Sequence, residues 1–267
     1  MQHQNAAASI MKDIFTPESM THTSERRIIY NWFSRFDIYA AMMAGHSTTL
    51  DRTWSAINRA YYERDALQNP NDLQKKIEYN MAKLRDLAMD MTLLIAGRAQ
   101  CTISLPELGR DALILRDRYI AWWRELDPVL LENPEPVSAP AMGSDEEPFL
   151  PACMYKGARW DVNLMLLDYY GLTMLMSHHM PAGMTQIPDT NLDVQEAAIA
   201  ASRLLSAIQA STAPKDSLLP TQATVALIAL WLPQNSAYQA WAQKQLATIE
   251  QLGYAIIDTR KETVFQL

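Results

Sequence analysis

The chain has 267 residues, about half of them apolar, with a net charge of −7 and only 8 glycines. That length holds one large domain or two small ones with ample core, and scarce Gly beside many Ala, Leu, Met and Gln favours helices over a turn-rich β architecture. The negative balance and the lack of a basic stripe exclude bare nucleic acid as partner, because counterion release rewards clustered Lys and Arg.

Residues 1–24 read as a loose lead-in: MQHQNAAASIMKDIF has neither the basic start nor the long apolar core of a secretory signal. THTSE then offers capping hydroxyls for a helix over RRIIYNWFSRFDIYAAMMAG, closed by Gly45 and the polar HSTT. At about 100° per residue, Ile28, Ile29, Trp32, Phe36, Tyr39, Ala40 and Met43 share one face, and Asn31, Ser34 and Asp37 fall on or near the other side. Arg35 lies inside the apolar arc, where an unpaired guanidinium costs several kcal/mol, so it must reach water or an acceptor. The next helix starts near Asp51 and turns Trp54, Ile57, Tyr61 and Tyr62 inward, and NPND is a turn with Asn71 or Asp72 as the cap.

The clearest helical period follows over 73–99, with Leu73, Ile77, Met81, Leu84, Ala88, Met91 and Ile95 at three- and four-residue steps. SLPELGRDALILRDRYIAWWREL continues with Leu108, Leu115, Tyr119, Trp122 and Leu126 on one side. Asp86 and Asp90 stand four apart, a spacing that suits a divalent ion between helices. The di-iron pattern also needs Glu-x-x-His pairs, and none occurs, so they read as solvated aspartates, some paired with Lys83 or Arg85.

Residues 127–156 change character, with six prolines and an acidic run, SDEE. Proline removes donors and fixes φ, so this piece reads as a surface crossing between helical halves 25–126 and 157–260, with 261–267 as a tail. SDEE itself reads as a solvated loop or, alternatively, an interaction segment.

The second half opens with WDVNLMLLDYYGLTMLMSHH, a central helix with Trp160, Leu164, Leu167, Tyr170 and Met174 as its stripe, Asn163 on it and Asp168 beside it. His178 and His179 point about 100° apart at its end and suit the helix dipole better than one shared metal. A helix capped by Asn191 or Asp193 follows, then a short buried one stopped by Pro233. The last carries Ala242, Leu246 and Ile249 inward with Gly253 as its stop.

The fold expected is therefore all-α, a multi-helix array in two packed halves joined by a long Pro-rich loop. Cys101 and Cys153 lie far apart, outside any CxxC pair, and read as buried thiols in a reducing compartment. No Gly-x-Ser-x-Gly, P-loop or Gly-rich dinucleotide turn occurs, so no catalytic or metal-ligating residue is assigned. The longest apolar runs fall short of the roughly 20 residues of a membrane span, and the expectation is a soluble intracellular protein or a fragment of one.

Three stretches also carry a likeness. LLPTQATVALIALWLPQNSAYQAWAQKQLATIEQLGY, with Leu232-Pro233, Trp241, Ile249-Glu250 and Gly253-Tyr254, resembles the closing segment of the fungal-specific regulatory domain of binuclear zinc-cluster transcription factors. RIIYNWFSRFDIYAAMMAG and WDVNLMLLDYYGLTMLM are similar to two earlier segments of that family, in the same order. The likeness spans about residues 25–260. It implies a nuclear regulatory domain that works by conformational change, with a small-molecule effector, transcriptional coregulators and a second copy as candidate partners. It implies no membrane contact and no direct DNA contact from this segment. The six-cysteine zinc cluster that binds DNA in the family is not in this chain, which has two cysteines, so zinc is expected only in that cluster and no cofactor here.

From these residues Arg35, Asn163 and Asp168 are candidate polar contacts, either to a ligand or between the halves. Trp32, Phe36, Trp160 and Tyr170 are candidate lining of an apolar pocket in a deformable interior of 7 Trp and 15 Met. An all-α enzyme acting on an apolar substrate and a helical interaction scaffold are the alternatives.

Overall fold

Helix starts are set by short polar side chains. In the computed structural model, which describes residues 2–138, 148–179, 193–211, 221–233 and 236–251, Thr23, Asp51 and Asp72 each accept a backbone N–H from the turn they open. Ser104 and Glu107 do so reciprocally, the arrangement that satisfies two orphan donors of a helix end at once. The described residues form nine α-helices and one two-stranded antiparallel sheet, so the fold is all-α. They divide into two compact units, Met1–Leu126 and Asp127–Leu267.

The first unit holds α1 (Gln2–Ile14), α2 (Ser24–Ala44), α3 (Arg52–Gln68), α4 (Leu73–Ala99) and α5 (Leu105–Arg124). The long α4 packs against α2, α3 and α5, and its predicted stripe is inside at Ile77, Leu84, Ala88, Met91 and Ile95. Leu108, Leu115, Tyr119, Trp122 and Leu126 are likewise buried. Gly45 ends α2 at φ 66°, the left-handed conformation glycine adopts at no steric cost.

The expected loose lead-in is instead a helix and a 3₁₀ turn, Ser19–Thr21. Ala8, Met11, Phe15 and Met20 form one cluster with Tyr30, Phe33, Leu50 and Trp54, and Lys12 donates to the Thr49 carbonyl at 2.8 Å. Residues 8, 11 and 15 recur at helical steps, so this short stretch buries a stripe after all.

The second unit is built on α6 (Trp160–His179), which packs on α7 (Val194–Ala210) and α8 (Gln222–Trp231); α9 (Ser236–Gln251) packs on α8. Apolar residues run nearly all round α6, and Val162, Met165, Leu167, Tyr169, Leu172, Met174 and Leu175 are all buried. It is the central helix that its sequence predicts. Trp160, Leu164 and Tyr170, expected on its buried stripe, are only half-buried.

The Pro-rich crossing departs from expectation. Its prolines interrupt any long helix but permit a 3₁₀ turn at Pro128–Leu131 and an edge strand, and β1 (Glu135–Val137) pairs antiparallel with β2 (Ala152–Met154), Pro136 opposite Cys153. Leu130, Phe149, Ala152, Met154 and Tyr155 are buried. Phe149 stacks on Tyr238 at 4.7 Å and meets the Trp241 ring edge-on at 4.8 Å. These five side chains are core of their unit, while most of the described segment, with Pro128, Pro134, Pro136 and Pro151, lies at the surface as expected. The SDEE run and the Gly253-Tyr254 ending lie outside the described residues.

Candidate functional site

Helix α2 carries the polar and apolar features that organise the first unit, and its orientation reverses the sequence reading. The buried side is Tyr30, Phe33, Ile38 and Met42 together with Ser34 and Asp37, the last 1 % exposed. Ile28, Ile29, Trp32 and Phe36 are 67, 47, 64 and 52 % exposed. Trp32 and Phe36 therefore line no buried pocket. Tyr39 and Met43, further along the expected face, are buried.

The reason is Asp37. Its carboxylate accepts the Thr49 N–H at 3.0 and 3.1 Å, the Thr49 hydroxyl at 2.7 Å and the Leu50 N–H at 3.1 Å. A carboxylate with its lone pairs filled this way is stable inside, and burying it fixes which side of an otherwise apolar helix faces the core.

Asn31, next to Trp32, is a second polar anchor. Its amide nitrogen donates to the Tyr62 hydroxyl at 2.9 Å and its oxygen accepts from Arg85 Nη1 at 2.6 Å, joining α2 to α3 and α4. Burial holds the Tyr62 phenol above its ordinary pKa, against the lowering effect of the Asn31 bond. Burial likewise raises Tyr30, which stacks on Trp54 at 6.0 Å.

The paired aspartates of α4 are not solvated. Asp86 is 4 % exposed, accepts the Ser55 hydroxyl at 3.0 Å, and faces Arg59 at 3.3 Å and Arg118 at 3.8 Å. Asp90 pairs with Arg52 at 3.0 Å and Arg118 at 2.5 Å. Their partners come from α3 and α5 and not from Lys83 or Arg85, which bond elsewhere, to Glu125 and Asn31. Guanidinium groups thus occupy the place where a metal reading of the two aspartates would put a cation. Among the described residues, no group of three or more His, Cys, Asp and Glu is placed to hold a metal ion.

Arg35 is half-buried, its guanidinium carbon 6.0 Å from the Tyr39 ring centroid. In the second unit, Asn163 is fully buried. Its oxygen accepts the Tyr155 N–H at 2.9 Å, and its nitrogen donates to the carbonyls of Tyr155 at 2.7 Å and Trp160 at 2.8 Å. That makes it a clasp between the end of β2 and the first turn of α6, with its amide committed to backbone. Asp168 and Trp160 are half-buried on α6. Tyr170, whose pKa burial pushes up to about 12, is also half-buried, its ring edge-on to Tyr169 at 5.7 Å. The expected set is divided, with Arg35, Trp32 and Phe36 on the first unit and Asn163, Asp168, Trp160 and Tyr170 on the second.

Helices α7 and α9 are joined by a bond from Gln209 Nε2 to Gln245 Oε1. The cleft around it, lined by Leu205, Val225 and Ile249, admits no water-sized sphere. Cys101 and Cys153, expected as buried thiols, are both exposed. No described helix is long and apolar enough to cross a membrane.

The residues that sequence reasoning missed are Asp37, Asn31, Arg52, Arg59 and Arg118. Arg52 and Arg59 are seven apart, two turns of helix, a spacing that answers the four-residue step of Asp86 and Asp90 once α3 and α4 are neighbours. No protein-family model matches the chain, and no curated protein or solved structure matches it.

Proposed function

We propose that this chain is the regulatory domain of a fungal binuclear zinc-cluster transcription factor, acting in the nucleus on transcription through bound coregulators or an effector. The observation that carries the reading is the exposed Ile28, Ile29, Trp32 and Phe36 face. It lies on the helix whose sequence bears the family likeness, and a contiguous apolar face of this kind marks an interaction surface.

The polar groups of the first unit support the same reading. Asp37, Asn31, Asp86 and Asp90 spend their hydrogen-bonding capacity on tying helices together, as a domain that works through packing requires. The other two likeness segments supply α6 and the pair α8 and α9, in which Leu232 and Trp241 are buried. A partner or effector regulates such a domain only by binding two packing states unequally. The zinc cluster and its DNA contact belong to a part of the factor outside this chain.

The test is to fuse the 267-residue chain to a heterologous DNA-binding domain and read a reporter gene. The expected result is output that differs several-fold from the DNA-binding domain alone at matched protein level. Equal output overturns the proposal.

A further inference from the structure

We infer that a single water molecule is built into the first unit, held where α2, α3 and α4 meet by Tyr30, Ser34 and Asn58. This goes beyond the transcriptional reading and stands apart from it.

Two buried polar atoms carry the inference. Tyr30 is 0 % and Asn58 2 % exposed, and among the described residues neither the Tyr30 hydroxyl nor the Asn58 side-chain oxygen has a hydrogen-bond partner. Buried polar atoms are nearly always satisfied, by protein or by ordered water, so two orphans in one interface call for a ligand.

The antiparallel run of α2 and α3 brings them to one level. Asn31 bonds Tyr62, and Asp37 accepts the Leu50 N–H, so a step forward along α2 is a step back along α3. Asn58, four residues before Tyr62, therefore stands at about the level of Ser34, three after Asn31. The Tyr30 ring stacks on Trp54, one turn before Asn58. Arg85, Ser34, Asp86 and Asp37 are within electrostatic reach of its phenol, but Ser34 falls short of hydrogen-bond geometry with it. Ser34 is itself 2 % exposed. Its hydroxyl donates to the Asn31 carbonyl at 3.3 Å and keeps lone pairs with which to accept.

Donor counting names the ligand. Asn58 Oδ1 only accepts, so the ligand must donate. The Tyr30 O–H is satisfied by donating, so the ligand must also accept. A bare cation takes no hydrogen bond from Tyr30 and meets the Arg85 guanidinium, and an anion has nothing to give Asn58. Water does both. It accepts from Tyr30 and donates to Asn58 and Ser34, three bonds, the usual number for a buried water. With all three residues buried, it leaves only when the helices part.

The test is a high-resolution crystal structure of the full 267-residue chain, with oxygen-17 relaxation dispersion in solution. The expected result is one ordered water within about 3.0 Å of all three oxygens. The count of long-lived waters should fall by one in the Tyr30→Phe/Asn58→Leu double variant. Each single change is expected to lower the folding equilibrium constant about tenfold by urea unfolding, since it strips the water of one partner. The double variant expels the water and leaves no orphan, so it should lose far less than the roughly hundredfold of two independent sites. A Tyr30 hydroxyl donating directly to Asn58, no density between the three oxygens, an unchanged water count, or a roughly hundredfold loss in the double variant overturns the inference. The crystal of the parent needs no variant, so it decides the matter even where a substituted chain fails to fold.

Discussion

The two units of this chain solve the same packing problem with different chemistry. In the first, ionised groups tie the helices: Asp37 caps the turn at 49–50, and Asp86 and Asp90 sit among three arginines from α3 and α5. In the second, two ties among the described residues are neutral amides, buried Asn163 to backbone and part-buried Gln209 to Gln245, inside a mass of Leu, Met and Ala. Buried charge fixes orientation, because only one register satisfies it, whereas an all-round apolar helix such as α6 takes its place from volume and from a single amide clasp.

The sharpest way to break the contrast is at Asp37. Asp37→Ala leaves the half-buried Thr49 and the buried Leu50 N–H groups without their acceptor, and a buried orphaned donor costs about 1–3 kcal/mol. The expected loss is about 3 kcal/mol, read by urea unfolding and as faster amide exchange at Thr49 and Leu50. Asp37→Asn keeps one acceptor oxygen and is expected to lose about half as much. If Asp37→Ala melts like the parent, α2 is not oriented by this carboxylate.

Asn163 is the matching position in the second unit. Asn163→Ala removes three hydrogen bonds to backbone and leaves a small void beside the Tyr155 main chain. A loss of about 2 kcal/mol is expected, smaller than at Asp37 because every bond at this site is between neutral groups. The measurement is again urea unfolding, with the Cys153 thiol beside the clasp as a local reporter. Released from it, β2 should let Cys153, already exposed, react faster with a thiol reagent. An unchanged reaction rate would show that the strand does not depend on the clasp.

What the sequence disclosed follows from the range of the forces involved. Helix starts were legible at Asp51 and Asp72 because capping acts within one turn. The inward stripes of α4 and α5 were legible because each has one apolar side. Helix α2 was not, because Ile28, Trp32 and Phe36 on one side rival Tyr30, Phe33 and Ile38 on the other. The choice between them is made by a turn twelve residues away from Asp37. Asp86 and Asp90 looked solvated because their arginines lie on other helices, a pairing that helical period cannot carry. The clasp at Asn163 depends likewise on a β-pair of three residues per strand, too short to leave a pattern.

The smallest expected effect separates the units by pH. Tyr170 of the second unit ionises near 12 instead of its ordinary 10 because burial disfavours the phenolate. Below pH 10 the phenol is neutral in both folded and unfolded chains, and its contribution to stability is complete. Between pH 10 and 12 the unfolded chain releases the proton while the folded chain holds it, so stability falls as pH rises, by about 1.4 kcal/mol per unit for a single group. Tyr170→Phe has no proton to release, and at pH 11 it should lose about 1 kcal/mol less than the parent relative to pH 9. Tyr62→Phe of the first unit, in contrast, should already be weaker at pH 9, since it surrenders the bond from Asn31. Urea midpoints of the three proteins at the two pH values distinguish a phenol held by burial alone from one held by a polar tie. Equal pH slopes for the parent and Tyr170→Phe would mean that Tyr170 is hydrated, and the second unit looser around α6 than its packing implies.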